Sequence, residues 1–348
     1  MSMTRRDRRD WRIVLWVVVV STAISAVFGY VIPPQDVSRP IAMLVSMAAA
    51  LVIATPLVIV ETRSERIEGL RRLRRLPLSA FFAIKVTLYS IVIVGGLLLV
   101  RYVVLATIGL PPGIDATFRT SLFFAIGMSV GANLFFEFGG LLGFGTLRSL
   151  VTGRYVQPRR EQRTFLLIDM KNSTGLAERL GPVRFHELLN DFFRNIAEAA
   201  LECRAEIHKY VGDEAILTWT DDQALADGEA LECPFIVRDL IASQREQYRR
   251  RYDAVPDFRA ALHCGEIVAG EIGDLRREIA YVGDTLNVAA RLLEAAKEIG
   301  HDVLVSDDLL KRTKLPEGVR SIDLPVLSVR NRETPLSIWA LSRTADAA

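Results

Sequence analysis

The 348-residue chain is half hydrophobic, and its formal net charge of +2 averages over two unlike halves, so charge alone excludes neither a membrane part nor a soluble part. It has no acidic tail and no long basic tract interleaved with aromatics, so nucleic acid is not an expected partner. The three cysteines, Cys203, Cys233 and Cys264, form no CxxC pair, which argues against a disulfide framework or a zinc site and for reduced cytosolic thiols.

Residues 1–146 read as a membrane domain. Four apolar segments, Trp11–Ile32, Pro40–Val60, Ser79–Ala106 and Thr120–Leu142, are long enough to span, since a helix needs ~20 apolar residues. The first is too long for a cleaved signal peptide, and other spans follow it. Arg5, Arg6, Arg8 and Arg9 precede it, and Arg63, Arg66, Arg71, Arg72, Arg74 and Arg75 crowd the second loop. The loops Pro33–Arg39 and Thr107–Arg119 are short and poor in cations. The positive-inside rule then predicts a multi-pass protein of the cell inner (cytoplasmic) membrane, with both termini in the cytoplasm.

Lys85 and Arg101 lie near the ends of the third span and are expected to snorkel. Asn133 and Glu137 in the fourth are four apart and share a helical face, beside Gly127 and Gly131, a GxxxG that permits close helix contact. Polar groups inside spans call for a reason. Two are open here: a packing face with an interfacial glutamate, or a sensor for an unidentified membrane-domain ligand. All four histidines lie outside the spans, which excludes a bis-histidine haem.

Residues 147–163, LRSLVTGRYVQPRREQR, read as a basic linker with Gly153 and Pro158 as breakers. It is either a transducer or a passive tether. The soluble part, 164–348, opens with the apolar run Thr164–Asp169, a buried strand. Val183–Leu201 follows as an amphipathic helix. Glu206–Thr220 reads as a hairpin around a Gly-Asp turn. Asp221–Arg251 is mostly helical, Phe258–Gly273 is a Gly-rich strand, and Thr285–Ile299 is a second amphipathic helix. Short strands near Val303–Val305 and Ser337–Leu341 close the domain. This β-α-β-β-α-β order predicts a ferredoxin-like α/β (α+β) core. In such a sheet the first strand and the hairpin are neighbours, so Asp169 and Asp213 converge as oxygen ligands for hard divalent cations. Each alone has a plainer reading, Asp213 as a turn residue and Asp169 as a helix cap.

The stretches FLLIDMKNST, EIHKYVGDEAI, LHCGEIVAGEIG and EIAYVGDTLNVAARL resemble the catalytic domain of class III adenylate and guanylate cyclases, in the family's order and spacing from about Thr164 to Leu341. With the four spans, the layout is similar to membrane-anchored bacterial cyclases. The resemblance implies that Asp169 and Asp213, with the backbone carbonyl of Met170, hold two Mg²⁺ or Mn²⁺ ions. One ion activates the ribose 3′-hydroxyl and the other binds the triphosphate. It implies that backbone amides around Ser173 and Thr174 cradle phosphate, that Asn287 orients the ribose, and that Arg291 stabilises the transition state. Lys209 stands where adenylate cyclases carry an adenine-reading lysine. An ammonium only donates, which suits the adenine N1 acceptor and favours ATP.

The chain departs from the family at Ala280, where a second base-reading side chain is usual; Glu278, backbone or water would have to replace it. The family's phosphate-binding lysine falls in VRNRE, where Arg332 and then Arg330 are the nearest matches. Family sites combine residues from two subunits, which implies a homodimer. Two alternatives stay open: a guanylate or dual-specificity cyclase, and a membrane receptor or scaffold with an inactive cyclase fold. A diguanylate cyclase shares the core but needs a glycine-rich signature that is missing before Gly212-Asp213-Glu214.

Overall fold

The computed structural model describes residues 5–33, 37–63, 76–108, 116–221, 225, 228–275, 277–327 and 335–343. It divides into two units, Met1–Leu141 and Leu142–Ala348.

The first unit contains the helices α1 (Arg5–Val31), α2 (Arg39–Arg63), α3 (Leu78–Ile108) and α4 (Ala116–Leu142). Segments Asp10–Val31, Arg39–Arg63, Ser79–Val103 and Ala116–Leu141 are long and apolar enough to cross a membrane, and they cover the four expected spans. Within the chain, other glycines make the close helix contacts. A Cβ on Gly29 of α1 would stand 2.6 Å from the Ala42 carbonyl oxygen of α2, and one on Gly96 of α3 would stand 2.5 Å from Ile53. Among the described residues nothing lies within 4 Å of a Cβ added at Gly127 or Gly131, and both glycines lie on the exposed side of α4.

Lys85 does not snorkel. It is 8% exposed, and its Nζ donates to Glu61 Oε1 at 2.7 Å and Glu137 Oε1 at 2.9 Å. The Tyr89 hydroxyl donates to the other Glu61 oxygen at 2.6 Å. A buried charge is costly unless paired, and α2 and α4 supply carboxylates within hydrogen-bond distance. The guanidinium of Arg101 lies over the Phe118 ring, 6.0 Å from its centre.

The second unit runs α5 (Phe144–Thr152), β1 (Arg159–Met170), α6 (Ser173–Leu180), α7 (Pro182–Glu202), β2 (Glu206–Val211), β3 (Glu214–Thr220), α8 (Glu229–Ser243), α9 (Arg245–Tyr252), β4 (Phe258–Ile272), β5 (Glu278–Val282), α10 (Asp284–Ile299), β6 (Val303–Ser306), α11 (Asp307–Leu310), β7 (Val319–Leu327) and β8 (Leu336–Arg343). The strands form one sheet in the order β2-β3-β1-β4-β6-β8-β7, with β5 paired to β4. Its first four strands are antiparallel with β1 inside, which is the ferredoxin-like arrangement expected. β6 then adds in parallel to β4.

Strand β1 is buried on both faces, which explains a continuous apolar run where an alternating one would mark a one-sided sheet. Leu166, Ile168 and Met170 pack with Phe192 and Ile196 of α7, and Phe165 and Leu167 pack with Val288 and Leu292 of α10.

Much of the expected linker is ordered structure. Gly153, in left-handed conformation with φ 65°, ends α5, and β1 begins at Arg159, five residues before the expected start. Arg159–Arg163 pair with Ala269–Gly265 of β4, a partner that local periodicity does not reveal. Arg163 is only 2% exposed. It donates to Tyr155 Oη at 2.9 Å, Glu161 at 3.2 Å and Glu206 at 3.3 Å, and lies 5.0 Å from the Tyr281 ring centre. Helices α5, α6 and α11 and strands β5 and β7 are additions to the expected order. Both β5 and β7 are partly exposed and lack a clean period of two.

Candidate active site

Strand β1 delivers Asp169 to its end, directly opposite Glu214 on β3 and Arg259 on β4. The tight turn between β2 and β3 places Gly212 at φ 63°, a left-handed conformation that glycine adopts without a steric penalty, and Asp213 follows it next to Glu214. Burial first, then the carboxylates of Asp169 and Asp213, push Glu214 up to about 7, against the opposing effect of Lys297. These three acids therefore share one field. Lys297, near the end of α10, answers it with its Nζ 3.0 Å from Asp169 Oδ2.

An excess of carboxylate oxygen that already draws a cation fits hard divalent ions. Among the described residues no group of three or more His, Cys, Asp or Glu side chains is arranged to hold a metal. The oxygen-bearing groups at this end of the sheet include Asp169, Asp213 and Glu214, and β1 ends at the buried Met170.

Beyond β1 the chain turns through Asn172, at φ 54°, into α6, whose first residues are Ser173 and Thr174. The first N–H groups of a helix have no intrahelical acceptor. Lys171 pins this turn: its N–H donates to the Asp257 carbonyl at 2.8 Å, and its ammonium pairs with Asp257 and Asp302. A Cβ at Gly175 would meet Asn172 Oδ1 at 2.6 Å, so a larger residue there would displace the Asn172 side chain.

Lys209 is exposed on β2, just past a register shift between Ile207 and Lys209. The preceding His208 is turned inward and stacks on Tyr281 of β5, ring centres 4.5 Å apart. Tyr281 adjoins Ala280, which pairs with Gly270 of β4, so this one ring contact links the neighbours of Lys209 and Ala280 in sequence. Burial, then Lys209, lowers the His208 pKa to about 4. The unfolded chain then binds more protons than the folded one between pH 4 and the ordinary value of 6.5, so stability is lost as pH falls through that window. His208→Phe should keep the stack and flatten this part of the profile. Melting temperatures of both proteins from pH 4 to 8 check it, and parallel curves would refute it.

Asn287 and Arg291 lie one turn apart on the exposed face of α10, where Arg291 pairs with Glu294 at 2.7 Å. Asn287 is ten residues before Lys297, about 15 Å along the axis at 1.5 Å per residue. Within one chain, the Asn287 end of α10 therefore points away from the Asp169 end. A 520 Å³ concavity in the soluble unit is lined by His263, Cys264, Asp284, Thr285 and Arg312, among others, and includes none of the predicted site residues. Arg330 and Arg332 lie outside the described residues. In the first unit Asn133 is 3% exposed and Glu137 is tied to Lys85.

Sequence reasoning missed Glu214, Lys297 and Glu61. Glu214 could have been read from the hairpin register, and Glu61 from its charge opposite Lys85 at matching helix ends. Lys297 gives no local signal, because its partner is 128 residues away.

Residues 155–321 match the family model described as adenylate and guanylate cyclase catalytic domain. Adenylate cyclase 2 of Rhizobium meliloti is 42% identical over 202 residues, 58% of this chain and 56% of that protein. The adenylate cyclase of Anabaena cylindrica is 24% identical over 183 residues, 51% of this chain and 36% of its own length. The chain thus spans about half or less of these curated relatives. The crystal structure of the adenylyl cyclase CyaB from P. aeruginosa superposes with a TM-score of 0.48 at 20% identity, covering 54% of this chain and 97% of that one.

Proposed function

We propose that this chain, whose residues 155–321 match the adenylate and guanylate cyclase catalytic domain model, converts ATP to 3′,5′-cyclic AMP and pyrophosphate. It does so as a homodimer in the cytoplasmic (inner) membrane, with its N-terminus and catalytic domain in the cytoplasm. The observation that carries this reading is the meeting of Asp169 and Asp213 in one acidic field at the end of β1 and the tip of the β2–β3 hairpin.

Asp169, Asp213 and the Met170 carbonyl would hold two Mg²⁺ or Mn²⁺ ions, which when bound activate the 3′-hydroxyl and neutralise the triphosphate. The amides of Ser173 and Thr174 bind phosphate at the start of α6, with Arg332 or Arg330 as a further phosphate ligand. Asn287 orients the ribose. The Arg291 guanidinium stabilises charge at the α-phosphoryl group as the 3′-oxygen–phosphorus bond forms and the bond to pyrophosphate breaks. Lys209 donates to the adenine N1, while Ala280 contributes no side-chain bond. The distance along α10 from Asn287 to Lys297, which touches Asp169, supports sites completed by a second copy: each chain holds both half-sites, and a two-fold pair makes two whole ones. The membrane unit would then pair the chains and regulate them, with Asn133 and Glu137 as its polar elements.

The test is the full chain in vesicles with Mn²⁺ and either ATP or GTP. Cyclic AMP is expected as the main product; a folded protein that makes neither product would sink the enzyme reading. Lys209→Glu should lower the ATP rate by about 10- to 100-fold, the worth of a charge-assisted hydrogen bond of ~1.5–3 kcal/mol. A second reading, a dual-specificity cyclase, is favoured by Ala280 and would appear as comparable rates with GTP. The 42% identical relative is named an adenylate cyclase, which favours the first.

A further inference from the structure

The first unit holds a half-open cavity of 690 Å³ lined by residues of all four helices. Along α3 it reaches from Tyr89 to Arg101, about 18 Å at 1.5 Å per residue, so it is a long and narrow space. Most of its wall is apolar, with Phe28, Ile53, Ile93, Leu97 and Phe124 among the lining side chains. Glu61, Tyr89 and Asn133 line it towards the buried ion cluster.

That polar end is unbalanced in two ways. Asn133 is 3% exposed and its Nδ2 donates to the Ser129 carbonyl at 3.0 Å, but among the described residues its Oδ1 has no hydrogen-bond partner. A buried acceptor left unmet costs ~1–3 kcal/mol. Glu61 and Glu137 also set two carboxylates against the single ammonium of Lys85, and the Tyr89 hydroxyl is already given to Glu61. This end therefore offers acceptors and negative charge to whatever enters. At the far end the Arg101 guanidinium faces Phe118.

We infer that this cavity is a binding site for one slender lipophilic molecule whose head, a hydroxyl or an amine, donates hydrogen bonds to Asn133 and Glu61. The apolar body lies along α3. A carboxylate or phosphate head is rejected at this end by the surplus carboxylate charge. The inference deepens the reading of the membrane unit as a sensor by naming the chemistry of its ligand, and it rests on that reading only for its consequence, not for binding.

The experiment measures binding without using cyclase activity, so its failure is separate from failure of the enzyme assignment. The full chain in phosphatidylcholine vesicles is photolabelled with diazirine-bearing dodecanol, dodecylamine or dodecanoate, and labelled peptides are mapped by mass spectrometry. Saturable labelling of cavity-lining positions on α2, α3 and α4 by the alcohol or the amine is expected, competed by unlabelled dodecanol. Whether alcohol or amine binds more tightly decides between the two heads. Asn133→Leu should weaken competition about tenfold, the equivalent of one hydrogen bond of ~1.4 kcal/mol. Ala49→Phe, which fills the cavity and leaves the ion cluster alone, should abolish saturable labelling, and it serves if Asn133→Leu fails to fold. Dodecanoate labelling as strongly as the other two, labelling concentrated beside Arg101, or labelling confined to outward side chains such as Phe123 and Leu134 would overturn the inference.

Discussion

Replacing Asp213 by alanine should lower cyclic AMP formation by at least about 10²–10³-fold, the scale on which a single charge-stabilising group acts in a site that excludes water. The fold should survive, since Asp213 is a half-buried turn residue outside both hydrophobic clusters. Asn287→Ala should be similarly impaired. Mixing the two inactive chains is the sharper measurement. If assembly is random, half of the pairs are mixed and each has one whole site of two, so activity should return to about a quarter of normal. A mixture as inactive as its components would show that each chain builds its own site. Product assay on co-expressed, differently tagged chains reads the result directly.

The second large effect is on stability. Lys85→Met leaves Glu61 and Glu137 facing each other without their cation, and breaking a buried ion pair in this way costs ~3–5 kcal/mol. The melting temperature of the full chain in detergent should fall, read by the fluorescence of Trp11 and Trp16 on α1 in a background with Trp219 and Trp339 replaced by Phe. Adding Glu61→Gln and Glu137→Gln to the same chain should recover most of the loss, because replacing a whole buried ion cluster is far less costly than orphaning part of it. A Lys85→Met protein as stable as the parent would mean that water reaches these carboxylates.

Local pattern was enough wherever one element's own burial dictated its sequence. The run Thr164–Asp169 is apolar because both faces of β1 are covered, and α7 and α10 end within a residue or two of where their stripes do. Pattern failed where burial is arranged by distant partners. Arg159–Arg163 are polar and still form a strand, because β4 supplies the ladder and Tyr155, Glu161, Glu206 and Tyr281 surround Arg163. The second span seemed to stop at Val60 since Glu61 and Arg63 lower hydropathy, yet α2 continues to Arg63 and Glu61 holds Lys85. The positions of Asp169 at the end of β1 and Asp213 in the hairpin turn are legible from local pattern, whereas the role of Lys209 rests on the resemblance. The link from Lys297 to Asp169 was not, because it depends on how α10 lies across the sheet.

The two ends of α10 have a consequence for how such a chain behaves in a bilayer. If the Lys297 end serves one site and the Asn287 end another, no copy is sufficient alone, and output depends on encounters within the plane of the membrane. For sparsely populated membranes, the number of whole sites rises with the square of surface density, and extra lipid silences the protein by dilution without touching a residue. Crowding into a patch would act as an on-switch of its own, and a copy lacking either half-site would act as a poison by occupying the partner of an intact one.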